Sequence, residues 1–314
     1  MRSARTLAEH IGYYHVILKA TGPQMLFKED ADKCAFLSIL ERSAHFSGVE
    51  VLSYALLDNH FHLLVKVPER ESVPSTEFRL RLEALYGSDR AQRLLDRWVR
   101  WEASGRGVEV AKERDRLLRR MYDLGQFMKT LKEWHSRQYR EAHGWEGTLW
   151  RGRYKSILVC ESYLALRTLA LYIALNPVRA GIVKQGTDSP WTSYGQFGKG
   201  GSFGWRCHAA LLRELAGLAE AGGTDSIEKG FKRAMTRAEA VPRENVRGKI
   251  ERGESLSPAE MLMCRVHAFS NGQMLGSREA LESVPMSGKR ITPIAPGDRL
   301  CTATRLRGTP FRVA

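Results

Sequence analysis

Residues 59–67 read NHFHLLVKV. Phe61, Leu63, Val65 and Val67 alternate with His60, His62, Leu64 and Lys66, the period of two that marks a β-strand. Side chains two apart on a strand share a face, so His60 and His62 project together while Phe61 turns into the core. Two convergent imidazoles form a ready pair of nitrogen ligands for a divalent metal.

Upstream, residues 13–19 (YYHVILK) read as a first strand, and Gly22 and Pro23 end it in the loop 20–24. In residues 30–46, Phe36, Leu37, Leu40 and Ala44 recur at helical spacing, and Gly48 closes the helix. Residues 49–57 (VEVLSYALL) form a second strand, and Asp58 and Asn59 turn into the histidine strand. Strand, helix, strand, tight turn, strand is the opening of a ferredoxin-like α+β domain, an antiparallel sheet with packed helices. In such a sheet the histidines stand on a face, not in a loop.

Residues 69–120 differ in kind, being highly charged, helical in pattern and broken at Gly87 and at 104–107. They read as an insertion packed on the domain edge. Residues 125–140 form a further helix with Phe127, Met128, Leu131 and Trp134 as its apolar stripe and Lys129 in its basic remainder. In residues 144–159 (GWEGTLWRGRYKSILV), aromatic and basic residues mix before a short apolar strand. Arg151, Arg153 and Lys155 suit phosphates, and Trp150 and Tyr154 offer faces for bases. Core anchoring of Trp150 and Tyr154 with snorkelling basic neighbours is the competing assignment. Residues 162–176 (SYLALRTLALYIALN) read as a helix with Ser162 as N-cap and Pro177 as its stop. Leu166, Leu169, Ala170 and Ile173 make its apolar stripe, and Thr168, Tyr172 and Asn176 stack along a more polar edge.

Beyond Trp191 the composition changes. The expected division is a core domain at 1–198, a Gly-rich linker region at 199–224, a helical extension at 225–284 and a basic tail at 285–314. Ser257, Pro258 and Glu260 form a capping box with Pro at the first helical position, opening a helix through about Phe269. A Gly-containing turn and a second helix from Ser277 follow, compatible with a DNA-reading helix-turn-helix or with a plain helical hairpin. The tail carries Lys289, Arg290, Arg299, Arg305, Arg307 and Arg312 against Asp298 alone, and order there is expected only on nucleic acid.

The charge balance points the same way. In 314 residues, 49 Lys and Arg stand against 35 Asp and Glu, a net charge of +14. Such an excess favours a polyanionic partner, nucleic acid before an anionic membrane surface. The five cysteines are scattered without a C-x-x-C spacing, which excludes a zinc finger or a disulfide scaffold. With no apolar run long enough to span a bilayer and no secretory h-region, a cytoplasmic, nucleoid-associated protein is expected, as a monomer or homodimer.

A metal on His60 and His62 in a basic protein has a natural task, to polarise a phosphodiester oxygen. Tyr172 offers a phenolate nucleophile, and Asn176, one turn on, offers a hard carbonyl oxygen as a further ligand. These segments resemble the HUH single-strand DNA nucleases with one catalytic tyrosine, most closely the REP-associated tyrosine transposases. The resemblance lies in YALLDNHFHLLVKVPE (54–69), FMKTLKEWH (127–135), GTLWRGRYKSILV (147–159) and YIALNPVRAGIV (172–183), in that order. It implies His60, His62 and Asn176 as metal ligands for Mg²⁺ or Mn²⁺ and Tyr172 as nucleophile. It further implies cleavage and transfer of single-stranded DNA beside a hairpin through a phosphotyrosine. Lys129, Trp150, Arg151, Arg153, Tyr154, Lys155 and Arg179 are the candidate nucleic-acid contacts. The alternative is a catalytically silent hairpin DNA- or RNA-binding regulator on the same fold. A water-using metallohydrolase is disfavoured, since no aspartate or third histidine follows His62 at hydrolase spacing.

Overall fold

The computed structural model describes residues 10–22, 25–220, 222–264, 269, 274–283, 289–293 and 301–305. The chain divides into two compact units. The first comprises 1–26, 51–65 and 151–314, and the second comprises 27–50 and 66–150.

The first unit is built on a sheet whose strands follow the expected alternation. β1 (Gly12–Lys19), β2 (Glu50–Leu57), β3 (His60–Val67) and β4 (Lys155–Val159) lie in the order β2-β3-β1-β4. That order, with the helix α1 (Asp30–Ser47) joining β1 to β2, is the ferredoxin-like arrangement. The amide of Ala20, just past β1, donates to the carbonyl of Asn59, just before β3, so the two strands run antiparallel. β1 also pairs antiparallel with β4, with His15 opposite Ile157 and Ile17 opposite Lys155. The outer edge of β2 is covered by residues 191–193, through Leu56 N–H to Trp191 O and Ser193 N–H to Tyr54 O. A covered edge cannot recruit foreign strands.

After β4 come the helices α6 (Tyr163–Ala174), α7 (Asn176–Ala180), α8 (Phe203–Leu218), α9 (Thr224–Glu239), α10 (Arg243–Glu251) and α11 (Pro258–Met263). Tyr13, Leu64, Ile157 and Val159 of the sheet share one buried cluster with Leu166, Leu169 and Ile173 of α6, Leu211 and Leu215 of α8 and Phe231 of α9. The region expected as a linker at 199–224 is therefore corrected. Leu211, Leu212 and Leu215 fall at helical spacing and bury α8 in the core, whatever the glycines around it suggest.

The C-terminal expectation is also revised. The capping box at Ser257 and Glu260 forms as expected. A strand, β5 (Met274–Gly276), precedes the short helix α12 (Arg278–Ser283), and residues 265–268 and 270–273 of the expected helix-turn-helix lie outside the described residues. Met274 and Leu275 pair parallel with Leu158 and Val159, because β4 would otherwise leave an open edge. β6 (Lys289–Pro293) and β7 (Cys301–Arg305) complete a seven-stranded sheet, ending β4-β5-β7-β6. Parts of the expected basic tail are thus strands. Pro23 of the first loop, the turn at 270–273 and Arg299, Arg307 and Arg312 lie outside the described residues.

The second unit is helical. Gly87 (φ +83°) and residues 104–106 separate α2 (Ser75–Tyr86), α3 (Ser88–Ala103) and α4 (Gly107–Leu118), at the breaks read from the sequence. Phe78, Leu82, Trp98 and Leu117 of these helices bury with Phe46 of α1. α5 (Leu124–His143) opens on Asp123, whose side chain accepts from Gln126 N–H, and closes at Gly144 in the left-handed region. Among the described residues no helix is long and apolar enough to cross a membrane.

Two buried histidines outside the sheet set an acid limit on stability. His208 of α8 is ringed by Phe197, Phe231 and Tyr194, and burial lowers its pKa to about 3. Burial lowers that of His135 on α5 to about 4. Both are neutral when folded and titrate near 6.5 when unfolded. The unfolded chain therefore binds more protons below about pH 6.5, and stability falls as pH drops. The slope is up to about 1.4 kcal/mol per pH unit for each group. The urea midpoint is expected to fall between pH 7 and pH 5, and His208→Leu to flatten that fall. An unchanged slope in the variant would show His208 to be charged in the folded state.

Candidate functional site

α6 presents Tyr172 to the face of the sheet that carries the histidines. Ser162 caps the helix by accepting from Ala165 N–H. Leucines and alanines bury most of its circumference, so the phenol enters the interior and is 2% exposed. The ring centroid of Tyr172 lies 6.2 Å from that of His62, edge to face, and 6.3 Å from that of His15. The centroids of His60 and His62 are 5.2 Å apart.

Pro177 does not end the helical run. After Leu175 the chain re-enters a helix, α7, with Pro near its start, where a missing N–H costs nothing. Pro177 cannot donate to the carbonyl of Ile173, four residues back, and the side chain of Asn176 compensates. Its Nδ2 donates to Ile173 O at 3.3 Å and to Tyr172 O at 3.2 Å. Its Oδ1 accepts from Arg179 Nη2 at 2.7 Å. The oxygen assigned from sequence as a metal ligand is thus engaged by a guanidinium.

Arg179 is the hub of this end of the site. Its Nη1 donates to Tyr172 O at 2.9 Å and to Leu262 O at 3.0 Å, tying α6, α7 and α11 together. Its guanidinium carbon stands 3.7 Å from the centre of the Tyr172 ring, a cation–π contact. Burial lowers its pKa to about 10, which leaves it charged at neutral pH. Arg179, expected as a phosphate contact, therefore spends much of its donor set on the protein itself.

A cleft of about 770 Å³ opens between these elements. His60, His62, Tyr172 and Asn176 line it, together with five cations: Lys19, Arg151, Arg153, Lys155 and Arg179. No carboxylate is among its lining residues. The cations gather because Arg151 N–H donates to Lys19 O at the end of β1, while Lys155 starts β4 opposite Ile17. The remaining candidates stand elsewhere. Trp150 is 6% exposed and packs with Phe27, Phe36 and His135, taking the core-anchor assignment and presenting no face for a base. Tyr154 is half-buried and outside the cleft lining. Lys129 is exposed on α5 and pairs with Glu133 at 3.9 Å.

Two residues of the site were not expected from the sequence. Lys19 is one. The other is His15, fully buried on β1, whose Nε2 lies 2.9 Å from His62 Nδ1. A third histidine thus stands beside His62, on a neighbouring strand and not at a sequence spacing. Tyr13, His15, Ile17 and Lys19 alternate toward one face, so the signal was present once β1 was placed beside β3.

Burial holds His62 well below the usual imidazole range, with the adjacent His15, His60 and Arg179 acting in the same direction. Burial likewise takes His15 down to about 3. Neutral imidazole is the form that ligates a metal. The Nδ1 of His60 lies 2.6 Å from Asn59 Oδ1, and that of His62 is engaged by His15. Both rings therefore hold Nδ1 against a protein partner, Asn59 for His60 and His15 for His62. Among the described residues no group of three or more His, Cys, Asp or Glu side chains is arranged to hold a metal. The two imidazoles fit a divalent ion as part of a shell whose other positions fall to an anion or water.

No protein-family model matches the chain, and no curated protein matches it. Among solved structures, it is similar to that of a REP-associated tyrosine transposase bound to a REP hairpin. The identity is 15% and the TM-score 0.41, over 64% of this chain and 87% of that one. The ferredoxin-like assignment rests on the strand order itself.

Removing the Arg179 fork takes the side-chain donor from Leu262 O and Asn176 Oδ1, while Tyr172 O keeps its bond from Asn176 Nδ2. Each buried polar group left unpaired costs roughly 1–3 kcal/mol. Arg179→Ala is expected to lower the unfolding free energy by about 3 kcal/mol or more, measured by urea denaturation. Arg179→Lys, lacking the fork, should recover only part of the loss. Wild-type stability in Arg179→Ala would exclude the hub role.

Proposed function

We propose that this protein is a metal-dependent single-strand DNA endonuclease and strand transferase, with Tyr172 as its nucleophile. The observation that carries the proposal is the cleft itself, which joins an imidazole pair, a tyrosine and five cations with no carboxylate. A cleft of that charge attracts a phosphodiester and repels no part of it. The four sequence segments resembling tyrosine transposases support the same assignment and point to hairpin or palindromic DNA as the substrate.

His60 and His62 would hold Mg²⁺ or Mn²⁺, which would stabilise the charge developing on the phosphoryl oxygens as a Lewis acid. Two neutral ligands make a weak site on their own, so occupancy is expected to be completed by the substrate phosphate. Asn176 Oδ1 accepts from Arg179 with one lone pair, and its second lone pair would be available to the metal. Lys19, Arg151, Arg153 and Lys155 bind the backbone and orient it. Tyr172 Oη forms a bond to phosphorus as the P–O3′ bond breaks, giving a 5′-phosphotyrosyl linkage and a free 3′-hydroxyl. The linkage keeps the phosphodiester energy, so another 3′-hydroxyl can displace the tyrosine without ATP.

The test uses end-labelled hairpin oligonucleotides, built on palindromes sought in the DNA that flanks the gene, with Mn²⁺. A denaturant-stable protein–DNA adduct is expected with wild type and none with Tyr172→Phe, which should still bind the hairpin. Cleavage at wild-type rate by Tyr172→Phe would sink the nucleophile assignment. Salt-sensitive hairpin binding with no adduct under any divalent ion would favour the silent regulator. Separately, Arg153→Ala is expected to weaken binding about equally across sequences and to reduce the slope of log K against log salt by about 1. An unchanged slope would remove Arg153 from the interface.

A further inference from the structure

A second cavity, of about 410 Å³, opens against α10 and α11. Arg179 and Met263 line both it and the cleft, so the two cavities are neighbours. Val246 and Ile250, one turn apart on α10, and Met263 at the end of α11 supply apolar walls. Ile250 is 56% exposed. A lone exposed isoleucine is ordinary. This one forms the rim of a concave site whose neighbouring walls are also apolar.

The charges around the cavity are largely matched within the protein. Its acidic lining residue, Glu251, is held by Arg247 at 3.0 Å, and Lys249 of the same helix by Glu260 at 2.7 Å. Arg179 differs, being bonded to two carbonyls and an amide oxygen and, among the described residues, to no carboxylate. Its charge remains for an anion. A bare phosphate would leave the apolar walls in water, and an aliphatic ligand would leave Arg179 without an anion. A nucleotide has both parts, a broad apolar face and a phosphate, and the volume lies within the range of roughly 300–1,000 Å³ usual for small-molecule sites.

We propose that this cavity takes one unstacked base of the DNA strand in the cleft, with Ile250, Val246 and Met263 against the base and Arg179 toward its phosphate. The inference rests on the nuclease reading for the presence of DNA in the cleft. It goes beyond that reading, because the four segments resembling tyrosine transposases end at residue 183, whereas α10 and α11 lie after it. Taking a base out of its stack is least costly in single-stranded DNA, the substrate already assigned to the cleft.

The test uses 2-aminopurine, whose fluorescence is quenched by neighbouring bases and returns when it leaves them. It is placed in turn at each single-stranded position of the hairpin oligonucleotides, and the full chain is added in EDTA, without divalent metal. One position is expected to brighten on binding. Ile250→Gln, a neutral change at an exposed helical position, should remove most of that brightening and raise Kd roughly 3–10-fold. Ile250→Trp should bind and instead quench the probe at the same position by stacking on it. On a hairpin with an abasic site there, Ile250→Gln and wild type should bind equally.

A probe that brightens at no position, or equally in Ile250→Gln, would overturn the inference. So would a Gln defect that keeps its full size on the abasic hairpin, or hairpins that do not bind at all. A Tyr172 adduct formed with no response to Ile250 fails the subsite and leaves the nuclease standing. A base response that depends on Ile250, with no adduct under any divalent ion, supports the subsite and fails the nuclease.

Discussion

The packing of α6 against the inner face of the sheet is the contact on which the site depends. Leu166, Leu169, Leu171, Ile173 and Leu175 are all buried, and each contributes roughly 1.5–3 kcal/mol. An unpaired buried nitrogen such as His15 Nδ1 costs roughly 1–3 kcal/mol. Five large apolar side chains outweigh it, so a polar cluster can sit inside a core that apolar burial has already assembled. Tyr172 lies where these regimes meet, with Phe269 at 4.7 Å between ring centroids on one side and the imidazoles on the other.

The polar side of that boundary is wired with few spare groups. Asn176 replaces the donor that Pro177 lacks, and Arg179 binds the oxygen that Asn176 has left. The same guanidinium closes on two carbonyls and on the phenol ring. A fixed cation next to neutral imidazoles disfavours a second cation there unless an anion arrives as well. The arrangement is therefore suited to binding metal and phosphate together, and poorly suited to a free metal alone.

Much of this was legible in the sequence, and the exceptions have physical causes. Alternation in 13–19, 49–57 and 59–67 located three strands, and Gly48, Gly87 and Ser162 marked helix ends that the structure keeps. The site geometry brings His60, His62, Tyr172 and Asn176 to one cleft, as the face pattern of strand and helix implied. β5 was not readable because three residues, MLG, carry no period, and their strand character comes from β4. Trp150 was ambiguous because WRGRY mixes aromatic and basic residues, and its burial is decided by Phe27, Phe36 and His135, all distant in sequence. His15 was passed over because its importance lies in sheet order, which sets β1 beside β3.

The central claim is that Tyr172, held over the histidines, is the atom source for a covalent bond to DNA. Mass mapping of the DNA-linked peptide after trypsin tests it most directly. Cleavage after Arg167 and Arg179 releases residues 168–179, which contain Tyr172 as their only tyrosine, whereas Tyr163 lies in residues 156–167. The expected result is a nucleotide mass on 168–179. A nucleotide on 156–167, or cut strands with no linked peptide at all, would contradict the account.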